Sequence, residues 1–141
     1  MSAPRQSLSK TDRLKSHKRI RLLFAEGQKM KVQSLLVYFQ IHPKVISAAE
    51  MVHLQMGVSV GARYFKKAVD RNLIKRRIKE AYRLNNIQVK ENLKEHNLVM
   101  DIFFVYTASE ILLYKQIEAC MQKALQQLTD KINHFYNSAA E

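Results

Sequence analysis

The sequence predicts an α+β fold, in which a small, mostly antiparallel sheet carries helices on one face and forms a two-layer sandwich. Three segments have the residue pattern of strands, and three longer segments have the apolar spacing of amphipathic helices. They follow one another as α-β-β-α-β-α, with room for a further short strand between residues 42 and 53. We expect one domain at residues 10–135, a disordered tail at residues 1–9 and a C-terminal tail at residues 136–141.

The first helix has a start signal and a stop signal. Ser16 is a good N-cap, and Gly27 is a residue that commonly ends a helix. Between them, Ile20, Leu23 and Phe24 have the spacing of one helical face. We therefore expect one helix here, with its apolar side on the sheet.

Three segments have the composition of strands. Residues 35–41 are rich in β-branched and aromatic side chains. Residues 52–60 alternate between an apolar face and a polar face, which indicates a half-buried strand. Residues 98–106 are apolar on both faces apart from Asp101, which indicates a central strand.

Two long helices and one short one complete the pattern. A basic helix is expected at about residues 67–85, and a short helical stretch at about residues 88–95. Residues 110–135 have the apolar spacing of a long amphipathic helix, with Ser109 as its expected N-cap.

The charge of the chain is the feature that bears most on function. It has 24 Lys and Arg against 12 Asp and Glu, a net charge of +12 and a pI near 10.0. A polyanionic partner is indicated, because a basic protein gains affinity from the counterions that it releases. The single cysteine, Cys120, excludes an intrachain disulfide and suits a reducing cytoplasm. No apolar run is long enough to span a membrane.

Much of the excess charge lies in one segment. Residues 63–83 hold nine basic and two acidic residues, a net +7. On a helical wheel the cations occupy one arc, and Ile74, Ile78 and Ala81 occupy another. A solvated surface helix is one interpretation, but basic residues at i, i+4 spacing repel one another without an anion. A membrane-surface helix is a second, but it needs larger apolar residues. Phosphate binding is the third, and the pattern favours it.

The same segment resembles a known family. GVSV, KKAVDRN and IKRRIKEAYR together resemble the bacterial ribonuclease P protein subunit, and the resemblance extends over about residues 10–130. Its helix motif falls on Arg71, Asn72, Lys75 and Arg76, followed by residues 79–83. The chain departs from the motif at Leu73, where the family usually has a third arginine.

The resemblance implies a function. The family's protein pairs with a catalytic RNA, which hydrolyses precursor tRNA and releases its 5′ leader with Mg²⁺ that is bound mainly by the RNA. The protein, expected to be a monomer within this ribonucleoprotein, contacts that RNA through the basic helix and the leader through a cleft on the sheet. The expected contacts to the catalytic RNA are Arg71, Asn72, Lys75, Arg76, Lys79, Arg83, Lys66 and Lys67. The expected cleft residues are Phe24, Tyr38, Gln55, Ser59 and Arg13.

Some of these assignments have structural alternatives. Phe24 could instead pack in the core, beside Leu23. Tyr38 and Phe39 are neighbours in a strand, so only one of them can face the cleft; the resemblance favours Tyr38. Asn72 could hydrogen-bond within the fold rather than to RNA.

A catalytic site on the protein itself is not indicated. A metal-dependent nuclease needs clustered carboxylates, and those of this chain are scattered along the sequence. The histidines and the cysteine lack zinc-site spacing. We therefore expect no catalytic and no metal-binding residue. A structural or ribosomal RNA-binding protein without a role in cleavage is the alternative function.

Overall fold

The computed structural model describes residues 12–43 and 54–139, which form four helices and four strands. In chain order the elements are α1 His17–Glu26, β1 Gln28–Val32, β2 Leu35–Pro43, β3 Leu54–Val60, α2 Ala68–Asn85, α3 Ile87–Glu95, β4 Leu98–Tyr106 and α4 Tyr114–Ala139. The α+β class is confirmed, as are the basic helix and the short helix after it. The tail expected at residues 1–9 lies outside the described residues.

The four strands form one mixed sheet in the order β1-β2-β4-β3. The pairs β1–β2 and β2–β4 are antiparallel, whereas β3 and β4 are parallel. The predicted central position of β4 is confirmed, and eight of its nine residues are buried. The additional strand is β1, before the first predicted strand. The region proposed for it, residues 42–53, lies mostly outside the described residues.

The main core lies between one face of the sheet, here called the back face, and α2, α3 and α4. Alternate residues of β2 point into it, among them Val37 and Phe39. The helices contribute Ile74, Ile78 and Leu128, each fully buried. The sheet and these three helices form the two-layer sandwich that the sequence predicts.

The expectation that all helices pack on one face needs a correction, because α1 lies on the opposite, front face. Leu23 of α1 is fully buried there, in a small cluster with Leu14 and Phe103. The physical reason lies in β4, whose front-facing Phe103 and Val105 are also apolar and are covered by α1. An apolar helix face predicts packing, but it does not determine which side of a sheet receives it.

Helix boundaries follow local hydrogen bonds. The Ser16 N-cap is confirmed, since its hydroxyl accepts from the Arg19 amide. The predicted cap at Ser109 is wrong, because α4 begins at Tyr114. The Tyr106 hydroxyl donates to the Glu110 carbonyl and accepts from the Leu112 amide, which holds this segment outside the helix. α4 also continues past its expected end at residue 135, to Ala139.

Candidate nucleic-acid interface

The basic helix α2 is amphipathic in the predicted sense. Ile74, Ile78, Ala81 and Tyr82 are its buried residues, and the predicted apolar arc is confirmed. The opposite side carries the cations, with Asn72 and Arg76 exposed. The helix therefore presents a basic surface while its other side contributes to the core.

The residues expected to contact phosphates differ in the hydrogen bonds and ion pairs that they form within the protein. Arg71 donates through Nη1 to the Phe65 carbonyl at 2.7 Å and to the Lys66 carbonyl at 2.9 Å, so it also secures the loop before the helix. Arg83 forms an ion pair with Glu80, at 2.6 Å between Nη2 and Oε1. Arg76 and the lysines before the helix, Lys66 and Lys67, are exposed.

Three cations concentrate positive charge where the N-terminal segment meets α2. The pKa of Lys79 is lowered by partial burial and by the charges of Arg13 and Lys75. Arg13 forms a parallel bridge with Met56 at the free edge of β3, and the Leu14 amide donates to the Met56 carbonyl at 2.9 Å. The structure thus places Arg13, an expected cleft residue, where its charge acts on the basic helix.

The front face of the sheet carries an aromatic cluster beside α1. The ring of Phe24 lies 4.5 Å from that of Tyr38 and 5.0 Å from that of Phe103, in edge-to-face arrangements. Phe24 is 41% exposed, so it lies at the rim of this cluster rather than in a core. Tyr38 is half-buried on this face, and Phe39 lies in the core behind it.

The polar residues expected in the cleft lie on the same face. Gln55 and Ser59 stand opposite Asp101 and Val105 in the ladder between β3 and β4. Opposite residues in a ladder share a face, so both belong to the front face. Between them lies Gly57, where an added Cβ would come within 2.6 Å of the Phe103 ring. A glycine at this position lets the aromatic ring lie against the β3 backbone.

Sequence reasoning missed several front-face residues. Lys29 and Lys31 of β1 are exposed and stand opposite Tyr38 and Leu36, so they flank the aromatic cluster. The alternation in QKMKV was the signal that could have found them. Phe103 and the pairing of Arg19 with Asp101 had no local signal, because they depend on contacts between distant segments.

Two acidic groups near these surfaces are engaged in ion pairs. Asp101 pairs with Arg19, and Glu80 pairs with Arg83. Among the described residues, no group of three or more His, Cys, Asp or Glu is placed to hold a metal ion. Within the same ranges, no helix is long and apolar enough to cross a membrane.

Comparison with known proteins assigns the family. The sequence matches the family model described as Ribonuclease P over residues 8–129. The chain belongs to the ribonuclease P protein family. This family is one of RNA-binding proteins of tRNA processing, and membership implies a ribonucleoprotein partnership with ribonuclease P RNA.

Similar proteins agree with this assignment. A ribonuclease P protein component of Porphyromonas gingivalis is 32% identical over 131 residues, which cover 93% of each chain. The fold is similar to that of the ribonuclease P protein of Staphylococcus aureus, with a TM-score of 0.59 and 23% identity, over 82% of this chain and 93% of that one. It is also similar to that of the Thermotoga maritima protein, with a TM-score of 0.60 and 21% identity, over 82% and 96%.

Proposed function

We propose that this chain binds the catalytic RNA of ribonuclease P through α2 and the 5′ leader of precursor tRNA through the front face. The holoenzyme then removes the leader by hydrolysis of one phosphodiester bond. The observation that carries this proposal is the presence of two different surfaces on one small domain. One is a helix with outward cations, and the other is an aromatic cluster flanked by lysines.

Each surface suits one kind of RNA contact. Lysine and arginine neutralise backbone phosphates, which suits a large folded RNA whose sequence need not be read. Exposed aromatic rings stack on the bases of single strands, and nearby cations hold the phosphates. Phe24 and Tyr38 are the proposed stacking residues, with Lys29 and Lys31 beside them. Ser59 is a proposed hydrogen-bonding residue on the same face.

We assign the chemistry, and the Mg²⁺ that it uses, to the RNA partner. Two carboxylates near these surfaces, those of Asp101 and Glu80, are ion-paired with arginines, and the described residues include no group of three or more His, Cys, Asp or Glu placed to hold a metal ion, which supports this assignment. The protein's proposed contribution is electrostatic and positional. By neutralising phosphates it lets two RNA molecules approach each other at a lower Mg²⁺ concentration. We place this activity in the cytoplasm, with the protein as a monomer within the complex.

The test is cleavage of precursor tRNA at low Mg²⁺ by the protein alone, a bacterial ribonuclease P RNA alone, and the two together. We expect 5′ maturation to be strong only in the mixture. Cleavage by the protein alone would locate a catalytic site on this chain. Tight RNA binding without stimulation, and without any dependence on a leader, would favour a structural RNA-binding protein.

Variants connect the activity to the proposed surface. Arg76→Glu reverses an exposed charge on α2 and should weaken binding of the catalytic RNA. Lys123→Glu makes the same kind of change at an exposed position on α4 and serves as the matched control. Equal losses in the two variants would contradict a specific role for α2.

A further inference from the structure

We propose that the ion pair between Arg19 and Asp101 positions α1 on the sheet and so fixes the binding geometry of the aromatic cluster. This inference rests on the proposed function of the front face as the site of the 5′ leader. It makes Arg19 and Asp101 positioning residues, which act through Phe24 and its neighbours.

The geometry of the pair is that of a two-pronged contact. Arg19 donates through Nε to Oδ2 of Asp101 at 3.2 Å and through Nη2 to Oδ1. Its remaining nitrogen, Nη1, donates to Oε1 of Gln55 at 2.7 Å. One guanidinium group therefore joins α1 to both β4 and β3. A fork of this kind restricts direction as well as distance.

The helix has few other attachments to the sheet. α1 has ten residues, and Leu23 is the one that is buried. Ile20 and Tyr38 are only partly buried in the cluster around Leu23. A helix of this length is marginal on its own, so its position depends on its tertiary contacts. The ion pair is the polar part of those contacts.

Stability alone is a weak reason for this pair. The side chain of Asp101 is only 5% exposed, in the middle of an otherwise apolar strand, whereas that of Arg19 is 39% exposed. Burial of the carboxylate costs desolvation free energy, which offsets its attraction to the arginine. A carboxylate in a proposed RNA groove also repels phosphates. A role in orienting α1 accounts for both features.

The pair and the aromatic cluster use neighbouring positions on β4. Asp101 forms the ion pair with Arg19. Phe103, the next residue on the same face, contacts the ring of Phe24. Two points of α1 are thereby fixed to two successive front-facing side chains. Without the contact between Arg19 and Asp101, α1 rotates about the contact between Phe24 and Phe103. This rotation moves Phe24 relative to Tyr38.

The experiment compares Arg19→Gln, Arg19→Lys and Asp101→Asn with the unmodified protein. Arg21→Gln removes the same charge from an exposed position of the same helix and is the matched control. Amide hydrogen exchange on each free protein reports the order of α1 without any RNA. Holoenzymes are then compared by the ratio of their affinities for precursor tRNA and for mature tRNA, which reports leader binding alone.

We expect faster exchange in α1 in all three variants, with exchange in β4 unchanged. We also expect the leader-dependent affinity ratio to fall roughly tenfold in Arg19→Gln and Asp101→Asn, with affinity for mature tRNA retained. Arg19→Lys keeps the charge but loses the fork, so it should also lose leader preference. If Asp101→Asn fails to fold, the Arg19→Lys variant tests whether the ion pair positions α1.

Two outcomes would overturn the proposal. A higher leader preference in Asp101→Asn would mean that Arg19 is a phosphate ligand and that the Asp101 carboxylate competes with the phosphate for it. Unchanged exchange in α1 in the variants would show that the pair does not position the helix. If the unmodified holoenzyme has no leader preference, the proposed function of the front face fails, while the exchange data still decide whether the pair positions α1.

Discussion

At the scale of single residues, the cations of the basic surface differ in their exposure to solvent and in the charges beside them. Arg76 is exposed, whereas Lys79 is partly buried beside two other cations. Burial and like charges both disfavour the ammonium form, which is why the pKa of Lys79 is lowered. The free protein thus carries a local repulsion that a bound phosphate would relieve.

This repulsion predicts opposite effects of one substitution. Lys79→Gln should make the free protein more stable by up to about 0.5 kcal/mol, the size of a like-charge pair on a helix. It should weaken binding of the catalytic RNA, because a phosphate contact is lost. Thermal unfolding and RNA titration measure the two effects. Lys123→Gln, at an exposed position of α4, is the control and should change neither by much.

Phe24 gives a second prediction at this scale. Phe24→Ala should cost only about 1 kcal/mol of stability, because the ring is partly exposed and contributes mainly its aromatic contacts. It should reduce leader-dependent affinity about tenfold, the effect of one lost base–aromatic stack. Tyr136→Ala is a matched control, since Tyr136 is 42% exposed and stacks on His96. Equal affinity losses in both variants would contradict a stacking role for Phe24.

At the scale of elements, strong local periodicity was predictable and long-range placement was not. α2 could be found because its 18 residues repeat a helical pattern, and β4 because its nine residues are apolar apart from Asp101. β1 has five residues and ends in a tight turn in which Gln33 has φ 54°, so its signal was short. The side of the sheet that α1 covers depends on contacts across the fold. Arg19 and Asp101, far apart in sequence, illustrate why the site was only partly predictable.

The start of α4 yields a prediction for an element boundary. Tyr106→Phe removes the hydroxyl that bonds Glu110 and Leu112, and this should cost about 1–2 kcal/mol of stability. Burial of this tyrosine raises its pKa above the ordinary value of 10.0. The unfolded chain therefore releases the proton first, and stability falls as the pH rises above about 10. Unfolding measured from pH 8 to 11 should show a smaller alkaline loss in the variant, and an identical loss would contradict this assignment.

At the scale of the whole molecule, the net charge of +12 affects folding and binding in opposite directions. Self-repulsion among the cations opposes the compact state, whereas the same charges attract RNA. Ion pairs join Arg19 to Asp101, Arg83 to Glu80 and Lys90 to Asp12, the last of them long at 4.0 Å. Each ion pair uses one cation and one acid, so the net excess of cations remains.

This balance predicts opposite salt dependences for the free protein and its RNA complex. Raising KCl from 50 to about 300 mM should stabilise the free protein, because screening weakens repulsion between exposed charges. It should weaken the complex, since counterions that were released on binding return. Arg76→Glu should reduce the slope of log affinity against log salt by about one or more, whereas Lys123→Glu should leave it nearly unchanged. Equal slopes in the unmodified and Arg76→Glu proteins would place Arg76 outside the interface. A free protein that loses stability over the same salt range would mean that attractive charge pairs outweigh the repulsion that the net charge implies.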